Sequence, residues 1–295
     1  MIRLPHTLLI ASIALLSTWS PLRAEILVKS GDKIAFLGDS ITAGGWGSPI
    51  GYVKLVIAGL EANGVKAEPI PAGISGHKSD QMLARLQKDV LDKKPQWMTL
   101  SCGVNDVWHG KGGVPLDDEM AKTELYAAQT NMAARGTYKK NITEIVDKAL
   151  AAGVKPVVLT ATVIQEDLGN DLNAKLAPYN DFLRALAKEK NAPLADLNQL
   201  FQDEIKKQNK PGQKVLTGDG VHMNPAGNRL MATGVLKALG LNDAELEKAK
   251  TAWDAIVVPP PAPRPPVAPK VPAPDKAPGA APAPAAPAVT SPQTK

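Results

Sequence analysis

Short apolar runs alternate along the middle of the chain with longer segments whose apolar residues recur every three or four positions. The run KIAFLG, from Lys33 to Gly38, is a short apolar stretch closed by glycine. Such a run predicts a buried strand. The segment from Gly51 to Gly64 instead places valine, isoleucine and leucine on one helical face, with Gly64 as the stop signal. This spacing predicts an amphipathic helix.

The same patterns recur along the chain and predict an alternating α/β arrangement. Strands are predicted at Lys33–Gly38, Val65–Ile70, Trp97–Gly103, Val154–Thr162 and Ala192–Leu197. Helices are predicted at Gly51–Gly64, Ser79–Val90, along a long stretch to Ala152 that is broken near Gly136, at Asn173–Glu189, and finally from Asn224 to Gly240. Alternation of this kind predicts a mainly five-stranded parallel sheet covered on both faces, a three-layer α/β/α sandwich. Ligands of such sheets bind beyond the carboxyl ends of the strands.

The two ends of the chain differ in composition from the middle. Residues 1–24 combine an early arginine, a short apolar run and a small residue, Ala24, at a plausible cleavage site. This pattern predicts a secretory signal peptide, because the run is shorter than the roughly 20 residues that a membrane span needs. Residues 258–295 are rich in proline and alanine, which predicts a disordered spacer. We therefore expect one folded domain at residues 25–257, secreted or periplasmic and without stable membrane insertion once the signal is removed.

Charge and cysteine content narrow the possible functions. The whole chain carries a net charge of +5. Its excess of basic residues lies in the two ends, so the middle segment is neutral and gives no reason to expect nucleic acid as a partner. Cys102 is the only cysteine, which excludes an internal disulfide and a cysteine-based zinc site.

Polar residues suited to catalysis follow the first three predicted strands. GDSITAGG (Gly38–Gly45) places Ser40 at the exit of the first strand, and PAGISGHKSD (Pro71–Asp80) places Gly73 after the second. GVND (Gly103–Asp106) places Asn105 after the third strand. Taken singly, a helix-capping serine, a turn glycine and a turn asparagine would explain these residues.

A fourth motif, DGVHMNPAG, lies just before the last predicted helix. Asp219 and His222 are three residues apart in it. A tight turn at this spacing brings the carboxylate to the imidazole, as a general base for a serine hydroxyl requires. Capping of the helix by Asp219 or Asn224, with His222 a surface residue, would be the purely structural explanation.

Together, in this order, the four motifs closely resemble those of the SGNH (GDSL) hydrolase family. The resemblance runs from about Lys33 to Leu239 and implies a flavodoxin-like fold. It implies that Ser40 is the nucleophile, that His222 is its base and that Asp219 orients His222. It further implies an oxyanion hole formed by the backbone N–H groups of Ser40 and Gly73 and by the side-chain amide of Asn105. No metal and no cofactor are expected.

The resemblance implies a secreted serine esterase, with O-acetyl groups on carbohydrate as the expected substrate. A lipid esterase or lysophospholipase, a thioesterase and an acyltransferase remain open within the same chemistry. A non-catalytic carbohydrate-binding protein on a hydrolase scaffold is a further alternative, and a tethering protein is suggested only by the tail. The tail is expected to act as a spacer, with contact to the cell wall or another protein left open. An α/β-hydrolase is disfavoured, because no serine lies in a G-x-S-x-G motif.

Several neighbouring residues receive smaller roles. Asp39 is expected to hold its loop through backbone hydrogen bonds, and Cys102 to be a small buried residue. His77 and His109 are expected in solvated loops beside the crevice. Trp46 and Trp108, which follow the first and third motifs, suit either a sugar-stacking or a packing role.

Overall fold

Five strands pair in parallel at the centre of the computed structural model, which describes residues 25–127 and 135–258. The strands are β1 (Lys33–Gly38), β2 (Glu68–Gly73), β3 (Trp97–Ser101), β4 (Lys155–Leu159) and β5 (Leu194–Ala195). They lie side by side in the order β2-β1-β3-β4-β5. The central strand β3 is buried along its whole length. Such burial on both faces is expected of a parallel sheet that helices cover on each side.

Helices connect the strands. Within the described residues the α-helices are α1 (Ser40–Gly47), α2 (Tyr52–Ala62), α3 (Ser79–Asp89), α4 (Val104–Trp108), α5 (Asp118–Ala121), α6 (Glu124–Ala127), α7 (Tyr138–Ala151), α8 (Asp171–Glu189), α9 (Leu197–Gln208), α10 (Pro225–Ala238) and α11 (Asp243–Asp254). Helix α2 packs against α10 and α11, whereas α3 packs against α7, and α7 against α8. These two groups form the outer layers, so the predicted three-layer α/β/α sandwich is confirmed.

The strand register brings the predicted motifs to one edge of the sheet. Gly38, at the end of β1, lies opposite Gly73, at the end of β2. On the other side, Leu37 of β1 lies opposite Leu100 of β3. The segments that follow these three strands therefore leave the sheet side by side.

The second strand begins three residues later than predicted and includes Gly73. The backbone N–H of Val65 donates to Leu60 O at 3.0 Å and so closes the end of α2. Pairing with β1 starts only at Glu68, opposite Lys33. The boundary error arose because Val65 looks like a strand residue but completes a helix terminus.

The prediction of a long helical stretch after the third strand is wrong. Glycines and a proline at residues 110–115 divide it into α4, a 3-10 turn at Gly110–Gly112 and the four-residue helices α5 and α6. Gly113 approaches the backbone carbonyl of Asp106 so closely that a Cβ there would collide with it. Residues 128–134 of this stretch lie outside the described residues. Helix α7 begins at Tyr138, two residues after Gly136, where a break was predicted.

Three helices, α1, α9 and α11, were not predicted, and each starts at a capping side chain. Asp196 accepts a hydrogen bond from Gln199 N at the start of α9. Asn242 and Glu245 form a reciprocal capping box at the start of α11, so α10 is not the final helix. Asn-Asp-Ala-Glu at residues 242–245 is a readable capping-box signal.

Both terminal predictions fall largely on residues that the structure does not describe. The described residues up to Val258 belong to one compact unit. The predicted signal peptide at 1–24 lies outside the described residues, as does the predicted tail apart from Val258. None of the helices in residues 25–127 and 135–258 is long and apolar enough to cross a bilayer.

Candidate active site

Ser40 is the first residue of α1, at the point where β1 ends. Asp39 caps this helix, and its Oδ1 accepts a hydrogen bond from Ile41 N at 2.9 Å. This is the loop-holding role expected of Asp39. The first N–H groups of an α-helix have no partner inside the helix, so Ser40 places both its hydroxyl and its N–H at an anion-favouring helix terminus.

Asp219 and His222 belong to one tight turn. Thr217 and Met223 form an isolated antiparallel bridge, and Gly218 N donates to His222 O at 2.8 Å. Within the turn, Asp219 Oδ1 accepts from Val221 N at 2.9 Å and from His222 N at 2.8 Å. The other carboxylate oxygen, Oδ2, lies 2.6 Å from His222 Nδ1.

The protonation state of Asp219 follows from these bonds. Partial burial favours the neutral acid, but the hydrogen bonds from the His222 ring and from two backbone N–H groups outweigh it and hold the pKa of Asp219 well below its usual value. Asp219 is therefore ionised at neutral pH and accepts the Nδ1 proton of His222. That arrangement leaves Nε2 of a neutral imidazole as a hydrogen-bond acceptor.

The hydroxyl of Ser40 is hydrogen-bonded to this acceptor. The distance from Ser40 Oγ to His222 Nε2 is 2.8 Å. An unbroken hydrogen-bonded chain therefore runs from Asp219 through His222 to Ser40, although 182 positions separate Ser40 from His222 in sequence. The structure brings together all three residues of the predicted triad.

Gly73 packs against the backbone of the first turn of α1. A Cβ at Gly73 would collide with Ala43 N and would lie 2.8 Å from Thr42 C. Only glycine allows this approach, which sets the end of β2 beside the segment that begins at Ser40. The structure thus places Gly73 against the first turn of α1, the helix that begins at Ser40.

Asn105 lies in α4 and is almost fully buried. Its Nδ2 donates to Asp39 Oδ2 at 3.3 Å and to His77 O at 3.2 Å. Its Oδ1 lies 3.1 Å from His109 Nε2. Asn105 is therefore beside the residue that precedes Ser40, and His109 fixes its amide orientation. Sequence analysis assigned no such role to His109, because a contact at i+4 on a short helix needs the helix to be known.

Two buried acids lie behind Asn105. Burial raises the pKa of Asp39 to about 7, against the opposing effect of the Ile41 hydrogen bond. Burial also raises the pKa of Asp106 to about 6, against the hydrogen bonds from Ser79. Asp106 Oδ1 accepts from Ser79 N at 3.0 Å and from Ser79 Oγ at 2.7 Å, and Cys102 Sγ donates to Oδ2 at 3.3 Å. Ser79 therefore anchors Asp106 rather than capping α3, and the buried Cys102 has a polar contact that its residue type did not predict.

Arg85 ties the ends of β1 and β2 together. Its guanidinium donates to Gly38 O and to Ala72 O, each at 2.9 Å. It also donates through Nε to His77 Nδ1 at 3.1 Å. Burial and the Arg85 charge lower the pKa of His77, so His77 is a held, neutral residue rather than a solvated one. Sequence analysis missed Arg85, because a lone arginine on a helix gives no signal of what it bonds.

A cleft of about 310 Å³ opens beside Ser40 and His222. Its walls include Ile41, Gly45, Ile50, Met223 and Asn228. A larger depression of about 730 Å³, lined by residues 25–29, 63–65 and 245, includes none of the predicted site residues. The smaller cleft is therefore the one that could hold a molecule against Ser40.

The two tryptophans near the motifs differ in their surroundings. Trp46 is partly buried, and Lys54 Nζ lies 3.8 Å from the centre of its ring. Trp108 is 39% exposed and lies beside His109. Trp108 is thus partly open to solvent, whereas Trp46 packs against the core and a cation.

No group of three or more histidine, cysteine, aspartate or glutamate side chains is placed to hold a metal ion in residues 25–127 and 135–258. The polar groups around Ser40 instead form a hydroxyl, imidazole and carboxylate chain with nearby N–H donors. Such a set can carry out nucleophilic attack on a carbonyl and transfer protons.

Comparison with known proteins points to the same chemistry. A sequence profile of the GDSL-like Lipase/Acylhydrolase family matches residues 36–230. An acetylxylan esterase from Geobacillus stearothermophilus is 27% identical over 227 residues, which cover 72% of this chain and 96% of that protein. A crystal structure of the acetyl xylan esterase AlAXEase superposes with a TM-score of 0.56 at 30% identity, over 70% of this chain and 98% of that one. The acetylxylan esterase Axe2 of G. stearothermophilus has the same fold, with a TM-score of 0.58 at 24% identity over 73% of this chain and 97% of that one.

Proposed function

Because the chain belongs to the GDSL-like lipase/acylhydrolase family and is a carboxylic ester hydrolase, we propose that it removes O-acetyl groups from carbohydrate through an acyl-enzyme on Ser40. The hydrogen-bonded chain from Asp219 through His222 to Ser40 Oγ carries this proposal. A serine hydroxyl is a weak nucleophile until an adjacent base takes its proton. His222 Nε2, at 2.8 Å, is that base.

In the first half-reaction, Ser40 Oγ attacks the ester carbonyl carbon while its proton passes to His222 Nε2. The ionised Asp219 stabilises the imidazolium that forms. The tetrahedral intermediate then expels the sugar alkoxide, which takes the proton from His222. An acetyl group remains on Ser40.

In the second half-reaction, water replaces the alcohol. His222 removes a proton from water as the oxygen attacks the acetyl carbonyl, and it returns that proton to Ser40 Oγ as the bond from Oγ to the acetyl carbon breaks and acetic acid is released. The balance is one ester and one water consumed, with one alcohol and one acetic acid formed.

The negative charge of each tetrahedral intermediate needs fixed donors. We assign the oxyanion hole to the N–H groups of Ser40 and Gly73 and to Asn105 Nδ2. Nδ2 donates to Asp39 Oδ2 and His77 O at 3.3 and 3.2 Å, which is at the long end for such bonds. An oxyanion is a stronger acceptor and would compete well for the same hydrogens.

The names of the relatives support the carbohydrate part of the proposal, since two acetylxylan esterases match over most of their length. The cleft of about 310 Å³ beside Ser40 suits a small acyl group. The exposed ring of Trp108 offers a surface on which a sugar could stack. Export directed by the predicted signal peptide would place the enzyme outside the cytoplasm, where such glycans occur.

The test is to assay residues 25–295 on 4-nitrophenyl acetate, on longer-chain 4-nitrophenyl esters and on acetylated xylo-oligosaccharides. Ser40→Ala is compared with Ser75→Ala, which truncates an exposed serine of the loop after β2. We expect Ser40→Ala to lower turnover by several orders of magnitude and Ser75→Ala to leave it unchanged. Turnover that survives in Ser40→Ala would show that the nucleophile is wrong.

Substrate preference separates the remaining alternatives. Faster turnover of acetate than of longer acyl chains, with acetate release from the oligosaccharide, supports a carbohydrate acetylesterase. A preference for long acyl chains would indicate a lipid esterase. Binding of the oligosaccharide without any acetate release would indicate a non-catalytic carbohydrate-binding protein.

A further inference from the structure

A glutamate outside the four motifs holds the segment that leads into the Asp219 turn. Glu166 lies in the loop between β4 and α8. Its Oε1 accepts hydrogen bonds from Leu216 N at 3.0 Å, Thr217 N at 2.7 Å and Thr217 Oγ1 at 2.6 Å. Its Oε2 accepts from Val215 N at 2.6 Å. One carboxylate thus receives four donors from three consecutive residues.

This geometry is a strong anchor. Three successive backbone N–H groups that converge on one point form an anion-binding concavity. Hydrogen bonds to an ionised acceptor are roughly twice as strong as neutral ones. The partly buried Glu166 therefore fixes the backbone of Val215, Leu216 and Thr217, and Asp219 follows only two residues later.

Gln165, the residue before Glu166, contacts the Asp219–His222 turn directly. Gln165 N donates to Gly220 O at 2.7 Å, and the Gln165 side-chain amide lies against Gly220 so closely that any Cβ there would collide with it. Gln165 adopts φ = 63°, which is unfavourable for a non-glycine residue. Gln165 and Glu166, consecutive residues of one loop, thus hold the segments directly after and directly before Asp219.

Thr217 connects the contacts made by Glu166 with those made by Gln165. Its hydroxyl donates to Glu166 and accepts from Gly220 N at 3.2 Å. From the other direction, Asn224 Nδ2 donates to Val215 O at 3.0 Å, while Asn224 Oδ1 caps α10. The Asp219–His222 turn is therefore attached to the sheet through β4 and to α10 through Asn224.

We propose that Glu166 is a positioning residue, which sets the place of Asp219 and His222 relative to Ser40. This inference rests on the proposed function, since it concerns the geometry of that triad. Glu166 makes its four bonds to the segment at 215–217 and acts through the backbone. Because a misplacement of about 1 Å can cost about 10²-fold in rate, loosening this anchor should reduce turnover while leaving substrate binding intact.

Glu166→Gln is the most specific test, because it disturbs only one of the four hydrogen bonds. The glutamine oxygen can still accept from Leu216 N, Thr217 N and Thr217 Oγ1, but its amide nitrogen would face the Val215 N–H, donor against donor. We expect kcat on 4-nitrophenyl acetate to fall about tenfold, and about 10²-fold in Glu166→Ala, with KM changed less than twofold. Both half-reactions use His222, so the loss appears in kcat whichever step limits the rate.

Asp171→Asn is the matched control. It also removes one negative charge, five residues further along, but Asp171 is exposed in the first turn of α8. We expect its kcat to equal that of the wild type. Thermal unfolding of every variant shows whether lost activity reflects lost folding.

A second readout reports the geometry independently of turnover. The proton between His222 Nδ1 and Asp219 Oδ2 should give a strongly downfield resonance in ¹H NMR spectra, absent from His222→Asn. In Glu166→Gln we expect this resonance to shift upfield and broaden, while Asp171→Asn retains it. A purely structural role for Glu166 would lower the unfolding temperature without moving this signal in the folded protein.

The outcomes distinguish the two proposals. If Ser40→Ala is inactive and Glu166→Gln keeps the wild-type kcat and NMR signal, the positioning role is wrong and the proposed function stands. If Ser40→Ala retains activity, the proposed function is wrong whatever Glu166→Gln does. A reduced kcat with unchanged KM and an altered NMR signal in a folded Glu166→Gln protein would establish the positioning role.

Discussion

At the scale of single residues, the amide of Asn105 is the group whose surroundings most need explaining. Its Nδ2 has two acceptors, Asp39 Oδ2 and His77 O. Both bonds are long, and His109 holds the opposite end of the amide. The side chain is therefore oriented in advance, as an oxyanion donor must be.

We expect Asn105→Ala to lower turnover of 4-nitrophenyl acetate by about 10²–10³-fold, as removal of one oxyanion donor does elsewhere. Asn105→Asp, which keeps the shape but cannot donate, should lose as much. His109→Ala should lose less, because it removes only the group that orients Asn105. Steady-state kinetics measure these losses, and a loss under threefold in Asn105→Ala would remove this residue from the oxyanion hole.

The raised pKa values of Asp39 and Asp106 link the same cluster to stability. Folding raises the pKa of Asp106 from 3.8 to about 6 and that of Asp39 from 3.8 to about 7. Between about pH 4 and these values the folded protein keeps protons that the unfolded chain has lost. Their contribution to the free energy of unfolding therefore falls as pH rises through this window and is constant above it.

Asp106→Asn should remove this pH dependence for one of the two groups. Asparagine Oδ1 can still accept from Ser79, so the cluster keeps its main bonds. We expect the variant to gain stability relative to wild type between pH 4 and pH 8 by as much as about 3 kcal/mol, since one pKa unit corresponds to about 1.4 kcal/mol. Urea unfolding at both pH values measures this gain. An equal difference at the two values would contradict the assignment, and Asp171→Asn should show no such change.

At the scale of elements, the approach of β2 to α1 positions the predicted oxyanion donors. Gly73 and the first turn of α1 are in backbone contact, and the register fixes Gly73 opposite Gly38. A strand end and a helix start thus meet where Ser40 lies. Any side chain at Gly73 would have to push α1 away.

Gly73→Ala is therefore expected to lower both activity and stability. Overpacking at a site that cannot relax typically costs about 1–3 kcal/mol, and displacement of α1 would also move Ser40 away from His222. Gly47→Ala is the matched control, because Gly47 ends the same helix with open space around it. Thermal unfolding and kcat should show a loss in the first variant and none in the second, and equal behaviour would refute the close-contact argument.

Sequence patterns predicted most of the elements that bury apolar faces but missed α1, α9 and α11, whose starts are set by capping side chains. The strands β1 and β3 and the helices α2 and α8 were located within a few residues, because burial imposes a readable periodicity. The start of β2 was misplaced by the helix closure at Val65. The motifs also led to Ser40, Asp219 and His222, since their chemistry restricts the residue types.

The supporting residues of the site could not be read in the same way. Glu166, Arg85 and His109 act through bonds to backbone or amide groups, and any residue type can supply a backbone partner. Glu166 lies 49–51 residues from its partners, and Arg85 lies 47 residues from Gly38. His109 is four residues from Asn105, on a short helix. These contacts follow only from the folded structure. The sequence thus indicates the reacting groups better than the residues that position them through hydrogen bonds.

At the scale of the whole molecule, both ends of the described chain are packed into the core of the sandwich. Near the start, Leu27 N donates to Leu239 O at 2.9 Å, and Val28 is buried. Near the end, Trp253 is fully buried, and its Nε1 donates to Leu55 O at 2.8 Å. Four residues later, Val257 is 85% exposed, so the described chain leaves the core before its last residue, Val258.

Deletion of residues 258–295 should therefore leave the hydrolase intact. The removed segment begins after the last buried side chain of the described residues, and its composition gives it little apolar surface to bury. We expect kcat on 4-nitrophenyl acetate and the unfolding temperature to stay at their values for residues 25–295. Trp253→Ala in the longer protein supplies the contrast, since loss of a fully buried tryptophan costs about 3–5 kcal/mol. A large loss of activity or stability on deletion of the tail would mean that it is part of the folded enzyme and not a spacer.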